Sequence, residues 1–192
     1  MNNSGGGTGY VPPVFLLTGE RGEGKTTTLG RVIERLRDEG MVISGIITHG
    51  TVKNGIRDSF TVVNVRTNIG VQLCSRETGT GGERCGAFLF NAKGLMHGFQ
   101  ALSLESAEGA DLVVIDEVGH LELRGEGWTT CIDTLTAETD RIPMVWVVRK
   151  NSLEQVITHW RLLNPVILDI NEYSVDEIVN KMINSIKKKG MV

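Results

Sequence analysis

Along this chain, short runs of consecutive apolar residues alternate with longer stretches whose apolar positions recur every three or four residues. Runs of the first kind read as strands buried on both faces, stretches of the second as amphipathic helices. Val14 to Thr18 (VFLLT) opens the pattern as a buried strand. Lys25 to Glu39 follows as a helix with Leu29, Val32, Ile33 and Leu36 on one side, and Gly40 ends it. Val42 to Thr48, Leu112 to Ile115, Met144 to Val148 and the short Val166 to Leu168 read as further strands. Helices are predicted over 92–108, 126–139, 152–163 with Ser152 as N-cap, and 174–188, where Ser174 and Glu177 have the spacing of a capping box. Apolar strands alternating with helices imply an α/β fold whose mostly parallel sheet is covered on both faces.

The middle of the chain breaks this rhythm. Asn54-Gly55 is a hairpin signal. Phe60 to Arg66, Val71 to Arg76 and Gly86 to Phe90 read as short strands, the last two separated by a Gly-rich loop at Gly79 to Gly82. Residues 51–90 therefore read as an antiparallel, β-rich segment inserted into the α/β core. Residues 1–13, which begin with a stretch rich in Asn, Ser and Gly, read as a flexible leader, and 14–192 as one domain.

Between the first strand and the first helix stands Gly19-Glu20-Arg21-Gly22-Glu23-Gly24-Lys25-Thr26, which fits G-x-x-x-x-G-K-[ST]. Backbone N–H groups that wrap phosphate oxygens need positions without side chains, which glycine supplies. A helix starting at Lys25 points its positive end at those oxygens. Lys25 brings a mobile charge for the β- and γ-phosphates, Thr26 a hydroxyl for Mg²⁺, and Thr27 lies within reach of the α-phosphate.

Asp116 and Glu117 follow the apolar run Leu112 to Ile115, so the strand delivers two acids at its C-terminal edge. Beside a phosphate loop, Asp116 is placed to hold Mg²⁺ through water, and Glu117 to orient a water for in-line attack. An adjacent Asp-Glu pair is typical of P-loop proteins with an extra strand between the two motifs in space. Met144 to Val148 is the candidate for that strand. Arg149 at its end then either senses transition-state charge or is a plain exposed strand terminus.

Composition narrows the picture. The 192 residues are 40% hydrophobic and 22% charged, enough for one globular core, and the net charge of −3 gives no strong nucleic-acid or anionic-membrane signal. Lys187 to Lys189 suit a solvated helix end. Three scattered cysteines, Cys74, Cys85 and Cys131, outline neither a disulfide framework nor a zinc site, and no apolar stretch is long enough to span a bilayer, so a reduced, cytoplasmic protein is expected. Trp128, Trp146 and Trp160 read as packing residues, with stacking on a nucleobase the alternative for Trp128 and Trp160, and His49, His97 and His159 as ordinary histidines.

The loop Gly19 to Thr27, together with Ile115-Asp116-Glu117-Val118-Gly119-His120-Leu121-Glu122-Leu123, resembles the cancer-related, thermophilic-type nucleoside-triphosphatases, small RecA-like P-loop proteins. Gly45 to Thr48, Arg57, Phe60 and Arg84-Cys85-Gly86 extend the resemblance from about residue 14 to about residue 188. It implies a RecA-like three-layer sandwich and Mg²⁺-dependent hydrolysis of nucleoside triphosphates, ATP and GTP among them, to diphosphate and phosphate. Glu117 would be the water-activating base, and Arg57 and His120 candidate sensors of the phosphates. This chain departs from the family at His49-Gly50-Thr51-Val52, at His120 where a Lys is usual, and at Ser174-Val175 in place of an Asn-Arg pair. A P-loop nucleoside or metabolite kinase, with Arg66, Arg76 and Arg84 in a basic lid, and a non-catalytic nucleotide switch are the competing readings.

Overall fold

The buried strands of the sequence become neighbours in one nine-stranded mixed sheet, in a computed structural model that describes residues 11–76, 84–138 and 142–187. The strands are β1 (Val14–Gly19), β2 (Ile43–Lys53), β3 (Ile56–Asn64), β4 (Ile69–Ser75), β5 (Arg84–Cys85), β6 (Phe88–Phe90), β7 (Leu112–Val118), β8 (Met144–Arg149) and β9 (Val166–Asp169). Across the sheet they run β5-β6-β4-β3-β2-β7-β8-β1-β9. The pairs β2–β7, β7–β8, β8–β1 and β1–β9 are parallel; those from β2 to β5 are antiparallel. β8 thus stands between β1 and β7, as the Asp-Glu pair suggests.

Helices α1 (Lys25–Asp38), α2 (Ala92–Ala101), α3 (Leu104–Ala107), α4 (Thr129–Ala137), α5 (Leu153–His159) and α6 (Val175–Lys187) complete the chain. Successive residues of a strand point to opposite faces, and the core divides accordingly. Val14, Leu16, Ile115 and Trp146 pack with residues of α2 to α5, including Ala101, Ala107, Ile132 and Val156. Phe15, Leu17, Val145 and Val147 pack with Leu29, Val32 and Leu36 of α1 and Ile178 and Met182 of α6.

The parallel and antiparallel halves share β2. Its first residues, Ile43 to Ile46, pair with β7, and Ile46 to Lys53 pair with β3. At the changeover Gly45 has φ +108, and a Cβ there would stand 2.0 Å from the Val114 carbonyl oxygen, so only glycine fits. Asn54 (φ 51) and Gly55 (φ 75) close the β2–β3 hairpin, as their dipeptide predicts.

Several boundaries differ from the sequence reading. The strand expected to end at Thr48 continues to Lys53, because the hairpin supplies it with a partner. The helix expected over 92–108 breaks at Leu102, and Ser103 caps a new turn by accepting the Ser106 N–H at 3.1 Å. The helix expected from Glu126 begins at Thr129, after a turn in which Gly125 and Gly127 take positive φ. The helix expected to reach Leu163 ends at His159, and Arg161 and Asn164 are left-handed beyond it. Ser152 makes no capping bond; its hydroxyl meets the Asn151 side chain at 3.3 Å. Ser174 and Glu177 do form the predicted box, with Ser174 N–H donating to Glu177 at 2.8 Å and Glu177 N–H to Ser174 at 3.4 Å. Residues 1–10 of the leader, the Gly79 to Gly82 loop and Lys188 and Lys189 lie outside the described residues.

Candidate active site

Four parallel strands, β7, β8, β1 and β9, end on the same edge of the sheet, and the Gly-rich loop and the Asp116-Glu117 pair lie at that edge. β1 ends in Gly19 and α1 begins at Lys25, so Glu20 to Gly24 form the connecting loop. Gly22 (φ +86) and Gly24 (φ +96) take the left-handed conformation with nothing within 4 Å of a would-be Cβ. Backbone conformation, not crowding, is what demands glycine there. Gly24 is the N-cap residue of α1 and accepts the Thr28 N–H at 2.8 Å.

Lys25 is buried, and its ammonium donates to the carbonyl oxygens of Gly19 at 2.9 Å and Glu20 at 2.6 Å. The loop curls around the lysine. Glu23 holds the loop from outside: its Oε2 accepts the Glu20 N–H at 2.6 Å and the Asn171 amide at 2.9 Å. These bonds, that of Asn171 first, hold the Glu23 carboxyl below the ordinary range. Arg21 and Thr27 are exposed.

Asp116 is 2% exposed. Its Oδ2 accepts the Thr26 hydroxyl at 3.1 Å and the Thr48 N–H at 3.0 Å, while Thr48 Oγ1 donates to the Asp116 carbonyl at 2.8 Å. Burial pushes its carboxyl up to about 7; the Thr48 N–H pulls the other way, the Glu117 charge adds to the rise, and Thr26 and Lys25 oppose it. A carboxylate so buried, bonded to a hydroxyl in the first turn of α1, is a hard-oxygen donor set suited to Mg²⁺. Among the described residues no group of three or more His, Cys, Asp or Glu could form an all-protein metal cage.

Glu117, the next residue, has a half-exposed side chain, and the Arg149 guanidinium grips both of its oxygens. Nε donates to Oε1, and Nη2 to Oε2 at 3.3 Å. Arg149 is the last residue of β8 and lies directly beside Gly19 in the β1–β8 register. The following residue, Lys150, donates to Asp169 at the end of β9 at 2.8 Å. That bond holds the Asp169 carboxyl below the ordinary range and the Lys150 ammonium above it.

The structure therefore gathers Lys25, Thr26, Asp116, Glu117 and Arg149 on one edge. Two other residues from the sequence reading have no hydrogen bond or ion pair to that cluster among the described residues. Arg57 donates to the Gly50 carbonyl at 2.9 Å and lies 5.5 Å over the Phe60 ring, both within the β2–β3 hairpin. His120 is exposed, just past the end of β7. Glu122 has the modest role of fixing its loop: it accepts the N–H groups of Gly119 at 2.9 Å and Trp128 at 3.3 Å, and burial raises its carboxyl. Trp146 and Trp128 are core residues, and Trp160 stacks edge-on to Trp146. All three cysteines are free thiols.

Thr48, Lys150, Asp169 and Asn171 escaped the sequence reading. Thr48 belongs to the apolar strand run and Asp169 follows one, positions that signal packing. Only the juxtaposition of strands far apart in sequence gives them partners in the site.

A protein-family model described as NTPase matches residues 14–188 of this chain. The Nucleoside-triphosphatase THEP1 of Methanosarcina barkeri is 32% identical over 174 residues, covering 90% of this chain and 96% of the relative. That of Archaeoglobus fulgidus is 29% identical over 161 residues, 84% of this chain and 88% of the relative. Among solved structures, the chain is similar to THEP1 from the hyperthermophile Aquifex aeolicus, with TM-score 0.67, 18% identity, and 88% of this chain and 98% of that one covered. It is equally similar to a human cancer-related nucleoside triphosphatase, with TM-score 0.67, 20% identity, and 93% and 98% covered. At such identities the two structures show likeness of fold. The comparisons and the shared edge of loop and carboxylates lead to one conclusion: this chain belongs to the NTPase family.

Proposed function

We propose that this chain hydrolyses nucleoside triphosphates to diphosphate and phosphate, with Mg²⁺ as its cofactor, at the edge where β1, β7 and β8 end. Membership of the family, and the activity in the names of its relatives, support the reaction. The observation that carries the site is the bond from Thr26 to the buried Asp116, with Glu117 adjoining and Lys25 in the loop behind.

The residues divide the work by position. N–H groups of the loop from Gly19 through Glu20, Arg21, Gly22, Glu23 and Gly24 to Thr27 bind the phosphate chain, aided by the positive end of α1. Lys25 exchanges the carbonyls of Gly19 and Glu20 for β- and γ-phosphate oxygens. Thr26 and Asp116 would hold Mg²⁺, which neutralises charge on the phosphates when bound. Glu117 accepts a hydrogen bond from water and aligns it with the γ-phosphorus. Arg149, level with Gly19 in the strand register, is a candidate sensor of charge on the γ-phosphate. The two cores on opposite faces support reading the fold as a RecA-like three-layer sandwich over 14–192, with 51–90 as an antiparallel extension of its sheet. No helix among the described residues is long and apolar enough to cross a membrane, and a triphosphate substrate agrees with a cytoplasmic setting.

The test is phosphate release with Mg²⁺ and ATP, GTP, CTP or UTP in turn, with nucleotide binding measured separately. Mg²⁺-dependent release is expected with more than one base. Tight binding without release would overturn hydrolysis in favour of a kinase or a switch.

A further inference from the structure

We infer that Arg149 is a latch on Glu117: without a γ-phosphate it fixes the orientation of the glutamate, and a triphosphate frees the glutamate by taking the guanidinium. The inference rests on the proposed roles of the phosphate loop and Glu117.

Arg149 occupies the end of β8, between the two motifs. On one side it lies level with Gly19, the first residue of the phosphate loop. On the other it reaches Glu117 at the end of β7 with two donors on two oxygens. A planar guanidinium binds either a carboxylate or a phosphate in this forked way, but not both with the same N–H groups. Both Glu117 oxygens are engaged, so the orientation of the carboxylate is set by Arg149 and not by an attacking water. The pair is about two-fifths exposed on each side, 39% and 38%, which makes it a weak, displaceable ion pair. A γ-phosphate beside Gly19 carries more negative charge than one carboxylate and competes for the same donors. A diphosphate places no group there. Glu117 is therefore armed by triphosphate and rests latched with diphosphate.

The test is a double-mutant cycle on binding, which needs no turnover. Dissociation constants for ADP and for a non-hydrolysable ATP analogue, both with Mg²⁺, are measured for wild type, Glu117→Gln, Arg149→Ala and the double variant. ADP binding also reports that each variant is folded. Arg149→Lys substitutes for Arg149→Ala if the latter fails to fold, since a lysine cannot bridge both oxygens. Weakening the latch with Glu117→Gln is expected to tighten the analogue by about fivefold, the size of a displaced exposed ion pair, and to leave ADP unchanged. In the Arg149→Ala background that gain should vanish. Simple repulsion between Glu117 and the γ-phosphate would give the same gain with or without Arg149. A gain that persists in that background, that also appears with ADP, or that is missing in wild type overturns the latch. Phosphate release by wild type separates the two claims: release with a flat cycle keeps hydrolysis and rejects the latch, and the expected cycle without release does the reverse. A wild type that binds no triphosphate rejects both.

Discussion

The two halves of the sheet are built on different terms. In the parallel half every residue of β1 is buried, as are all but the last of β8, and β7 is buried except at Glu117. In the antiparallel half β3 is mostly half-buried, with its first two residues exposed, and β5 and β6 are short. There, fewer residues reach the core, Val62 and Leu73 among them, and cation–ring pairs lie on the surface: Arg57 over Phe60, and Arg76 at 4.9 Å over Phe88. Lys25, Asp116, Glu117 and Arg149 stand where the well-packed strands β1, β7 and β8 end. The proposed site would gain from well-packed strands, since small misplacements of a catalytic group are costly. The antiparallel half supplies one residue to the site's hydrogen bonds, Thr48, from the shared strand.

This contrast can be broken most severely where the halves meet. Gly45→Ala puts a methyl into the Val114 carbonyl at a positive φ, and should destabilise the protein by about 3 kcal/mol or more, lowering Tm by about 6–12 °C. Calorimetry checks this, and an unchanged Tm would mean that the strands do not meet at Gly45. Next in size, Gly98→Ala drives a Cβ to 2.3 Å from the Trp128 ring, which should cost about 1–3 kcal/mol. Denaturant titration measures the loss, and trimming Trp128 to Leu in the same chain should recover part of it.

A third effect depends on pH. With Mg²⁺ absent, folding holds the Asp116 carboxyl at about 7 against an ordinary 3.8. Between those values the folded protein keeps a proton that the unfolded chain has lost, so the contribution of Asp116 to stability falls as pH rises through the window. Urea midpoints of the metal-free protein from pH 4 to 7 should fall more steeply for wild type than for Asp116→Asn. Equal slopes would mean that Asp116 is not buried as described. Glu122, also raised by burial, adds a slope of the same sign to both proteins. The smallest effect belongs to the antiparallel half. Arg76→Ala should cost about 0.5–1 kcal/mol through its contact with Phe88 and leave phosphate release unchanged.

What the sequence disclosed tracks how local each feature is. The Gly-rich loop before α1, the Asn54-Gly55 turn and the Ser174 capping box are short-range patterns, and each has a physical signature within a few residues. The placement of β8 between β1 and β7 followed from chemistry, since Asp116-Glu117 implied a strand between the motifs. Helix ends were misjudged where a side chain or a left-handed residue outvoted apolar periodicity, as at Ser103 and Arg161. The grip of Arg149 on Glu117 and of Thr48 on Asp116 joins residues 32 and 68 positions apart, and no periodicity carries that information. Gly45 read as one more residue of a β-strand; only the close passage of β7 shows why a side chain is impossible there.

The central claim, that Glu117 activates the attacking water, is tested most directly by steady-state phosphate release from MgATP by Glu117→Gln beside wild type, with binding of a non-hydrolysable ATP analogue measured on both. The account predicts that the variant binds at least as tightly as wild type and releases phosphate at least about a hundredfold more slowly, the scale of losing a general base. Release at the wild-type rate, or a slow rate that merely follows lost binding, would contradict it.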